Sequence, residues 1–370
     1  MEENVLLKKQ SKSLKRKNLN YLGFNKFVAM YLIIRMHLYC NKTMPFDFGV
    51  RACEFLFLSS GFLIGYNYYN ASFEYTYKSP FTYAYKHLRS FYPYYLLNLF
   101  YGLYLNKDSI KFDLTYVELL LINLLLIANW SNHRGKARFY FGISWFLDNI
   151  FYCYFISPFL LFTINSPKNS LKLLCFALMT RILSEEFLKN GAYNVFDTNF
   201  HCGPIIRIIE FYIGMLLSPI YFTIKKYFEK FKNNFTFKII FTIIHITTPI
   251  YLYYLMVKYD KVLLRCYFIL IFCIYILIIS NDYGYLSYII ELKILKIVMS
   301  TQLEMYLIQM NVHITFDIYF TPKFIHIPRI FIYYIKLISI FIIAFFYRKF
   351  YRDKLAKLMD ALLFFITKIF

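Results

Sequence analysis

Two side chains in the first apolar segment, Lys26 and His37, have the types and spacing of a reactive site. Eleven residues make about three turns of α-helix, so both side chains share one face, roughly 16 Å apart along the axis. Imidazole can take a proton from a hydroxyl group, and an ammonium can hold an anionic group. Because charged groups inside a membrane helix are costly, the pair predicts chemistry within the bilayer. The alternatives are a hydrogen-bonded packing histidine and a lysine that extends to the interface.

The next apolar segment adds an acidic side chain, Glu54. We expect it at the depth of His37, where a carboxylate fixes the tautomer of an imidazole and raises its basicity. On this interpretation Glu54 assists His37 as the general base. An ion pair of Glu54 with Arg35 or Arg51 is an alternative of equal weight.

The distance from Lys26 to His37 suits a long, thin donor molecule. A coenzyme A thioester has anionic phosphates at one end and its acyl group at the end of an extended arm. Phosphates favour a basic cytoplasmic rim, and the gap of ~16 Å is comparable with the length of that arm. The acyl group could then reach the outer leaflet while the nucleotide stays in the cytoplasm, so the geometry favours acyl-CoA as donor substrate.

The chain that positions these groups is strongly apolar and basic. Of its 370 residues, 59% are hydrophobic and 22% aromatic, whereas a soluble domain is about 45–50% apolar. Runs such as 237–256 and 262–279 approach the ~20 residues that cross a bilayer, which predicts an all-α polytopic membrane protein. We interpret the net charge of +21 as topology signals and headgroup contacts rather than a nucleic-acid surface, because the basic residues flank apolar segments. The seven scattered cysteines indicate no metal site.

Eleven apolar segments can be read along the chain, and their order predicts the topology. They lie at about 22–40, 46–66, 91–105, 115–130, 141–164, 170–187, 204–222, 237–257, 262–280, 292–314 and 329–347. Basic tails at both ends favour two cytoplasmic termini, which requires an even number of crossings. The weakest segment is 170–187, interrupted by Lys172 and Arg181, and we expect it to be re-entrant or peripheral. The prediction is about ten spanning helices, with 185–203 facing outward.

Three regions follow from this topology. Residues 1–20 form a basic cytoplasmic tail, residues 21–347 form the transmembrane domain, and residues 348–370 form a cytoplasmic or interfacial tail. We expect no internal repeat and no soluble catalytic domain.

Several short motifs occur in a characteristic order. A basic residue, ten residues and a histidine precede an acidic-Phe-Phe-x-x-x-Ser-Gly-Phe pattern, and four weaker motifs follow. The matching residues are Lys26, His37, Glu54, Phe55, Leu56, Ser60, Gly61, Phe62, Lys86, Arg89, Pro93, Tyr95, Ser144, Trp145, Arg207, Phe211, Gly214, Ser300, Tyr306 and Leu307. On these residues, from about 20 to 345, the sequence resembles the membrane-bound acyltransferase 3 family, whose members mostly O-acylate cell-envelope glycans.

The resemblance implies roles for individual residues. His37 is the implied catalytic base. The implied donor-binding residues are Lys26, Lys86, Arg89, Ser60, Gly61 and Trp145. An interfacial anchor is the alternative for the tryptophan. The sequence departs from the family pattern at Ser90, where the family usually has arginine, and at Gln309, where it often has histidine.

The resulting expectation is an O-acyltransferase of the cell inner membrane. It would transfer an acyl group, most often acetyl, from cytoplasmic acyl-CoA to a hydroxyl of an envelope polysaccharide or lipid-linked oligosaccharide. A flippase or transporter of lipid-linked glycans is the alternative, since such proteins also place charges in their helices. A glycan polymerase is a third interpretation, and the short outward stretch 185–203 counts against it.

Overall fold

The computed structural model describes residues 19–39, 47–70, 80–105, 107, 113–130, 144–189, 203–258, 262–322 and 326–369. All regular structure within these ranges is helical, which confirms the all-α prediction for this part of the chain. The α-helices are α1 (Asn20–Tyr39), α2 (Asp47–Asn70), α3 (Pro80–Leu88), α4 (Tyr92–Leu105), α5 (Leu114–Leu124), α6 (Ser144–Leu161), α7 (Pro167–Lys189), α8 (Pro204–Phe228), α9 (Phe235–Lys258), α10 (Val262–Ile279), α11 (Leu286–Ile290), α12 (Lys293–Ser300), α13 (Gln302–Thr315), α14 (Arg329–Phe350) and α15 (Arg352–Ile369).

Among the residues that the structure describes, three helical stretches are long and apolar enough to cross a membrane. They are Pro204–Phe231, Phe235–Leu255 and Arg329–Phe350. Two shorter apolar stretches, Leu114–Leu124 and Tyr267–Ile279, accompany them. The fold is therefore compatible with an all-α membrane protein, while the number of ten crossings and the cytoplasmic termini stay predictions.

Three segments differ from their expected form. The segment 170–187 belongs to one unbroken helix, α7, and so is not re-entrant, while the alternative expectation of a peripheral position stays a prediction. The expected helix 292–314 is divided at Thr301 into α12 and α13, and a π-helical turn, Phe316–Phe320, follows α13. The stretch 67–90 contains a short helix, α3, that the sequence did not predict.

Helices α2 and α8 form the closest packing in the fold, and glycine makes it possible. A Cβ atom at Gly61 would lie 1.8 Å from the backbone oxygen of Phe211, and one at Gly214 would lie 1.9 Å from that of Leu58. One turn further along, the Oγ of Ser218 donates a hydrogen bond of 3.0 Å to the backbone oxygen of Phe62. Small residues four apart allow helix backbones to approach this closely. The crossing fixes α2 and α8 as the central pair.

Helix α1 lies against α2 on one side and against α13 and α14 on the other. Its first turns are held by two buried hydrogen bonds. The Tyr21 hydroxyl donates to the backbone oxygen of His245 at 2.7 Å, and the Tyr275 hydroxyl donates to Oδ1 of Asn25 at 2.6 Å. This anchoring sets which side chains of α1 face the two groups of neighbours.

Candidate functional site

His37 lies in the last turns of α1, beside the face of α13 that carries Gln309 and His313. His37 and Gln309 lie close enough to interact. Within the part of the chain that the structure describes, however, no hydrogen bond of normal geometry reaches the buried Nδ1 of His37 or either polar side-chain atom of Gln309. Buried polar atoms nearly always have a hydrogen-bond partner, so several unpaired atoms in one place need a physical explanation. A polar ligand, or a substrate hydroxyl, is one group that would satisfy them.

Two further side chains, Asp317 and Lys336, lie next to His313 and complete this polar group. Nζ of Lys336, on α14, lies 2.9 Å from Nδ1 of His313 and 2.6 Å from Oδ1 of Asp317. Nδ1 of His313 is also 3.2 Å from Oδ2 of Asp317. Lys336 is buried, whereas the Asp317 side chain is 48% exposed, so the group opens at one end of the helices. We call His37, Gln309, His313, Asp317 and Lys336 the histidine site.

The second predicted position on α1, Lys26, is half-buried and contacts α2. Its Nζ donates a hydrogen bond of 3.2 Å to Oγ of Ser60. Two residues that the sequence assigned to donor binding therefore meet in the structure. Because α1 is unbroken from Asn20 to Tyr39, Lys26 and His37 are held about 16 Å apart along its axis.

Glu54 belongs to a different group of charges. Its Oε1 and Oε2 each lie 2.6 Å from Nη1 of Arg51, and its Oε1 lies 3.2 Å from Nη2 of Arg181. The alternative interpretation, a pair with Arg51, is the one observed, and the expected contact with His37 is not. The physical reason is that Arg51 lies one helical turn from Glu54 on α2 itself.

Arg181 links this pair to a second one on α8. Its Nε lies 3.0 Å from Oε1 of Glu210, and Glu210 also accepts a short hydrogen bond from Arg207. We call these residues, Arg51, Glu54, Arg181, Arg207 and Glu210, the arginine–glutamate cluster. Each is at most 4% exposed. The cluster joins α2, α7 and α8, so its charges hold the helices together in the interior.

The remaining residues of the α2 and α6 motifs lie around this cluster. Trp145 is half-buried, and its ring lies 5.8 Å from the guanidinium carbon of Arg207. Its backbone oxygen accepts a hydrogen bond of 2.8 Å from Asn129. Gly61 lies at the α2–α8 crossing described above. Trp145 and Gly61 therefore take part in helix packing, while the donor-binding role that the sequence assigned to them stays a prediction.

Lys86 and Arg89 lie at the surface on and just after α3. Nη1 of Arg89 is 2.7 Å from Oδ2 of Asp360 on α15, and the two side chains are 44% and 40% exposed. The hydroxyl of Tyr85 also donates to Asp360, at 3.1 Å. The predicted donor-binding arginine is thus paired with the C-terminal helix, which packs here on the surface of α3.

His87 lies in the same helix and is half-buried. Its ring is stacked on Tyr154 with ring centroids 4.6 Å apart. Burial and, to a smaller extent, the neighbouring Lys86 ammonium lower the pKa of His87 to about 4. The imidazole is therefore neutral at physiological pH and adds no charge to this surface.

Sequence reasoning missed His313, Asp317 and Lys336 as members of a site. A signal for the first two was present, because they lie four residues apart in an otherwise apolar stretch and so share a helix face. Lys336 had only its position in the apolar run of α14 as a signal. Which helix it would face could not be read from the sequence.

Comparison with protein-family models, curated proteins and solved structures found no match. Among the residues that the structure describes, no group of three or more histidine, cysteine, aspartate or glutamate side chains is placed to hold a metal ion.

Proposed function

We propose that this protein is an integral-membrane O-acyltransferase that transfers an acyl group, most often acetyl, from cytoplasmic acyl-CoA to a hydroxyl of a cell-surface glycan. The observation that carries the proposal is the buried Nδ1 atom of His37, which has no hydrogen bond of normal geometry and lies beside Gln309. An imidazole whose nitrogen has no protein partner can accept a proton from a substrate hydroxyl.

The reaction begins when His37 takes the proton of the acceptor hydroxyl. The hydroxyl oxygen attacks the thioester carbonyl carbon, the carbon–sulfur bond breaks, and His37 returns the proton to the departing sulfur. Glu54 has no part in this step, because its carboxylate is held by Arg51 and Arg181. Lys26 contacts the donor on the cytoplasmic side, and Ser60 holds its ammonium in place.

The proposal includes an orientation in the cell inner membrane. About ten helices cross it and both termini are cytoplasmic, because the basic stretches of the chain then lie on the positive-inside face. In this orientation the start of α1 faces the cytoplasm and His37 lies toward the outer leaflet. The nucleotide of the acyl-CoA and the acceptor glycan then remain on opposite sides of the membrane, and only the acyl-bearing arm of the donor enters it.

A flippase or transporter of lipid-linked glycans is the second candidate. The arginine–glutamate cluster favours it, because buried charges within helices are also typical of transport proteins. The two candidates differ in one requirement, since a flippase has no need of acyl-CoA.

The test is release of coenzyme A from acetyl-CoA by the detergent-purified protein, with His37→Ala and Lys26→Ala as variants. We expect turnover by the wild type, even if slow and with water as acceptor, and its loss in His37→Ala. Lys26→Ala is expected to raise KM more than it lowers kcat. If folded wild type neither binds nor turns over acetyl-CoA when glycan-bearing membranes are supplied, the acyltransferase proposal fails and the flippase is favoured.

A further inference from the structure

We propose that His313 is a second catalytic imidazole, whose Nε2–H donates a hydrogen bond to the thioester carbonyl oxygen as negative charge develops there. The proposal rests on the proposed function, with His37 as base. Its physical foundation is the position of His313 on the face of α13 that meets His37, together with the contacts of its Nδ1 atom. His313 lies four residues from Gln309 on α13 and so shares its helix face, and the polar side-chain atoms of Gln309 are unpaired.

Lys336 determines which nitrogen of His313 carries the proton. Nδ1 of His313 lies 2.9 Å from Nζ of Lys336, which has only donors, and 3.2 Å from Oδ2 of Asp317, which only accepts. We assign Nδ1 as the acceptor because the lysine contact is the shorter of the two. A neutral imidazole that accepts at Nδ1 has its proton on Nε2. Asp317 holds the same ammonium at 2.6 Å and so keeps it against the ring. Lys336 and Asp317 are therefore positioning residues, and His313 is a fixed donor.

A fixed, neutral imidazole donor is suited to the charge that develops during acyl transfer. As the acceptor oxygen bonds to the carbonyl carbon, the π electrons of the carbonyl group move onto its oxygen, and a donor already aimed at it lowers the barrier. When the carbon–sulfur bond breaks, that charge leaves with the sulfur and is neutralised by the proton that His37 carries. His313 neither gains nor loses a proton, so the two imidazoles have separate tasks: His37 is a base and His313 a hydrogen-bond donor.

The test measures coenzyme A release from acetyl-CoA by full-length protein in detergent, with two matched substitutions at one position. His313→Leu removes the donor at similar volume, and His313→Gln keeps an N–H donor at similar reach. We expect His313→Leu to lower kcat roughly 10²–10³-fold with little change in KM. We expect His313→Gln to keep most of the kcat that His313→Leu loses. Thermal unfolding in detergent shows whether each variant is folded.

The positioning role of Lys336 needs a measurement that a packing defect would not change. ¹⁵N NMR of histidine-labelled wild type is expected to show His313 as the Nε2–H tautomer, and Lys336→Met is expected to shift that equilibrium and lower kcat. Lys336→Arg, which keeps a donor, is expected to restore the tautomer. An Nδ1–H tautomer in the wild type would overturn the proposed donor role even without an activity assay.

The outcomes separate this inference from the proposed function. Wild type that loses turnover in His37→Ala but keeps it in folded His313→Leu overturns the role of His313 and leaves the acyltransferase standing. Equal loss in folded His313→Leu and His313→Gln also overturns it, because a retained donor then has no effect. Wild type that releases no coenzyme A overturns both.

Discussion

The histidine site and the arginine–glutamate cluster are both polar groups inside an apolar helical protein, and they differ in how far their atoms are paired. In the cluster, Glu54 and Glu210 each contact two arginines, and no side-chain atom of its five members is buried without a partner. In the histidine site, Nδ1 of His37 and the amide of Gln309 are buried and unpaired.

This difference indicates which group is available for chemistry. A charge whose hydrogen bonds are all satisfied by the protein stabilises one arrangement of helices and has nothing left to offer a substrate. A buried polar atom without a partner lowers the stability of the fold. Proteins keep such an atom where a ligand or a reacting group can form the missing hydrogen bond. We therefore propose helix assembly as the role of the cluster and chemistry as the role of the histidine site.

The largest effect is expected from His37→Leu, which tests the histidine side of the comparison. Loss of a general base lowers turnover by about 10²–10⁴-fold, while stability should be unchanged or higher because an unpaired polar atom is removed. Coenzyme A release and thermal unfolding in detergent measure the two quantities. A folded protein with wild-type turnover would contradict the assignment, and so would a marked loss of stability.

The cluster should respond in the opposite way, through stability. Glu210→Ala leaves Arg181 and Arg207 without a shared carboxylate, and breaking a buried ion pair from one side costs about 3–5 kcal/mol. Glu229→Ala, on an exposed glutamate that follows α8, is the matched control and should change stability by less than about 0.5 kcal/mol. Equal unfolding midpoints for the two variants would show that the cluster does not hold the helices.

A smaller effect is expected where the cluster helices cross. Gly61→Ala places a Cβ atom against the backbone of Phe211, and such overpacking costs typically about 1–3 kcal/mol. Gly23→Ala is the control, because no atom outside its own helix lies within 4 Å of the added Cβ and alanine is the better helix former. The unfolding midpoint should fall in the first variant and stay or rise in the second. The reverse order would argue against the close crossing.

The smallest effect concerns an ion pair at the surface. Asp360→Asn removes the partner of Arg89, but both side chains are at least 40% exposed, and pairs of this kind contribute about 0–1 kcal/mol. We expect an almost unchanged unfolding midpoint and little dependence on salt. A fall in the unfolding midpoint as large as that of Glu210→Ala would show that an exposed ion pair can stabilise the fold as much as a buried one.

Part of this arrangement could be read from the sequence because it is local. The helical character and the register of Lys26 and His37 on α1 follow from apolar runs and helical geometry. The pairs Arg51–Glu54 and Arg207–Glu210 are three residues apart, and His313–Asp317 is four apart, so each lies within one helical turn. Only the first of these was proposed, and it was given as an alternative.

The sequence alone therefore determined the helical class of the fold, the apolar and basic character of the chain, and the spacing of its polar side chains along each helix. The tertiary structure decided which side chains meet between helices. Arg181 reaches Glu54 across 127 positions of sequence, and His37 faces α13 rather than Glu54. The physical reason is that helical periodicity fixes only the direction in which each side chain points around the axis of its own helix. Which neighbour lies in that direction depends on how closely the helices pack, and here the glycine contacts of α2 and α8 set that closeness.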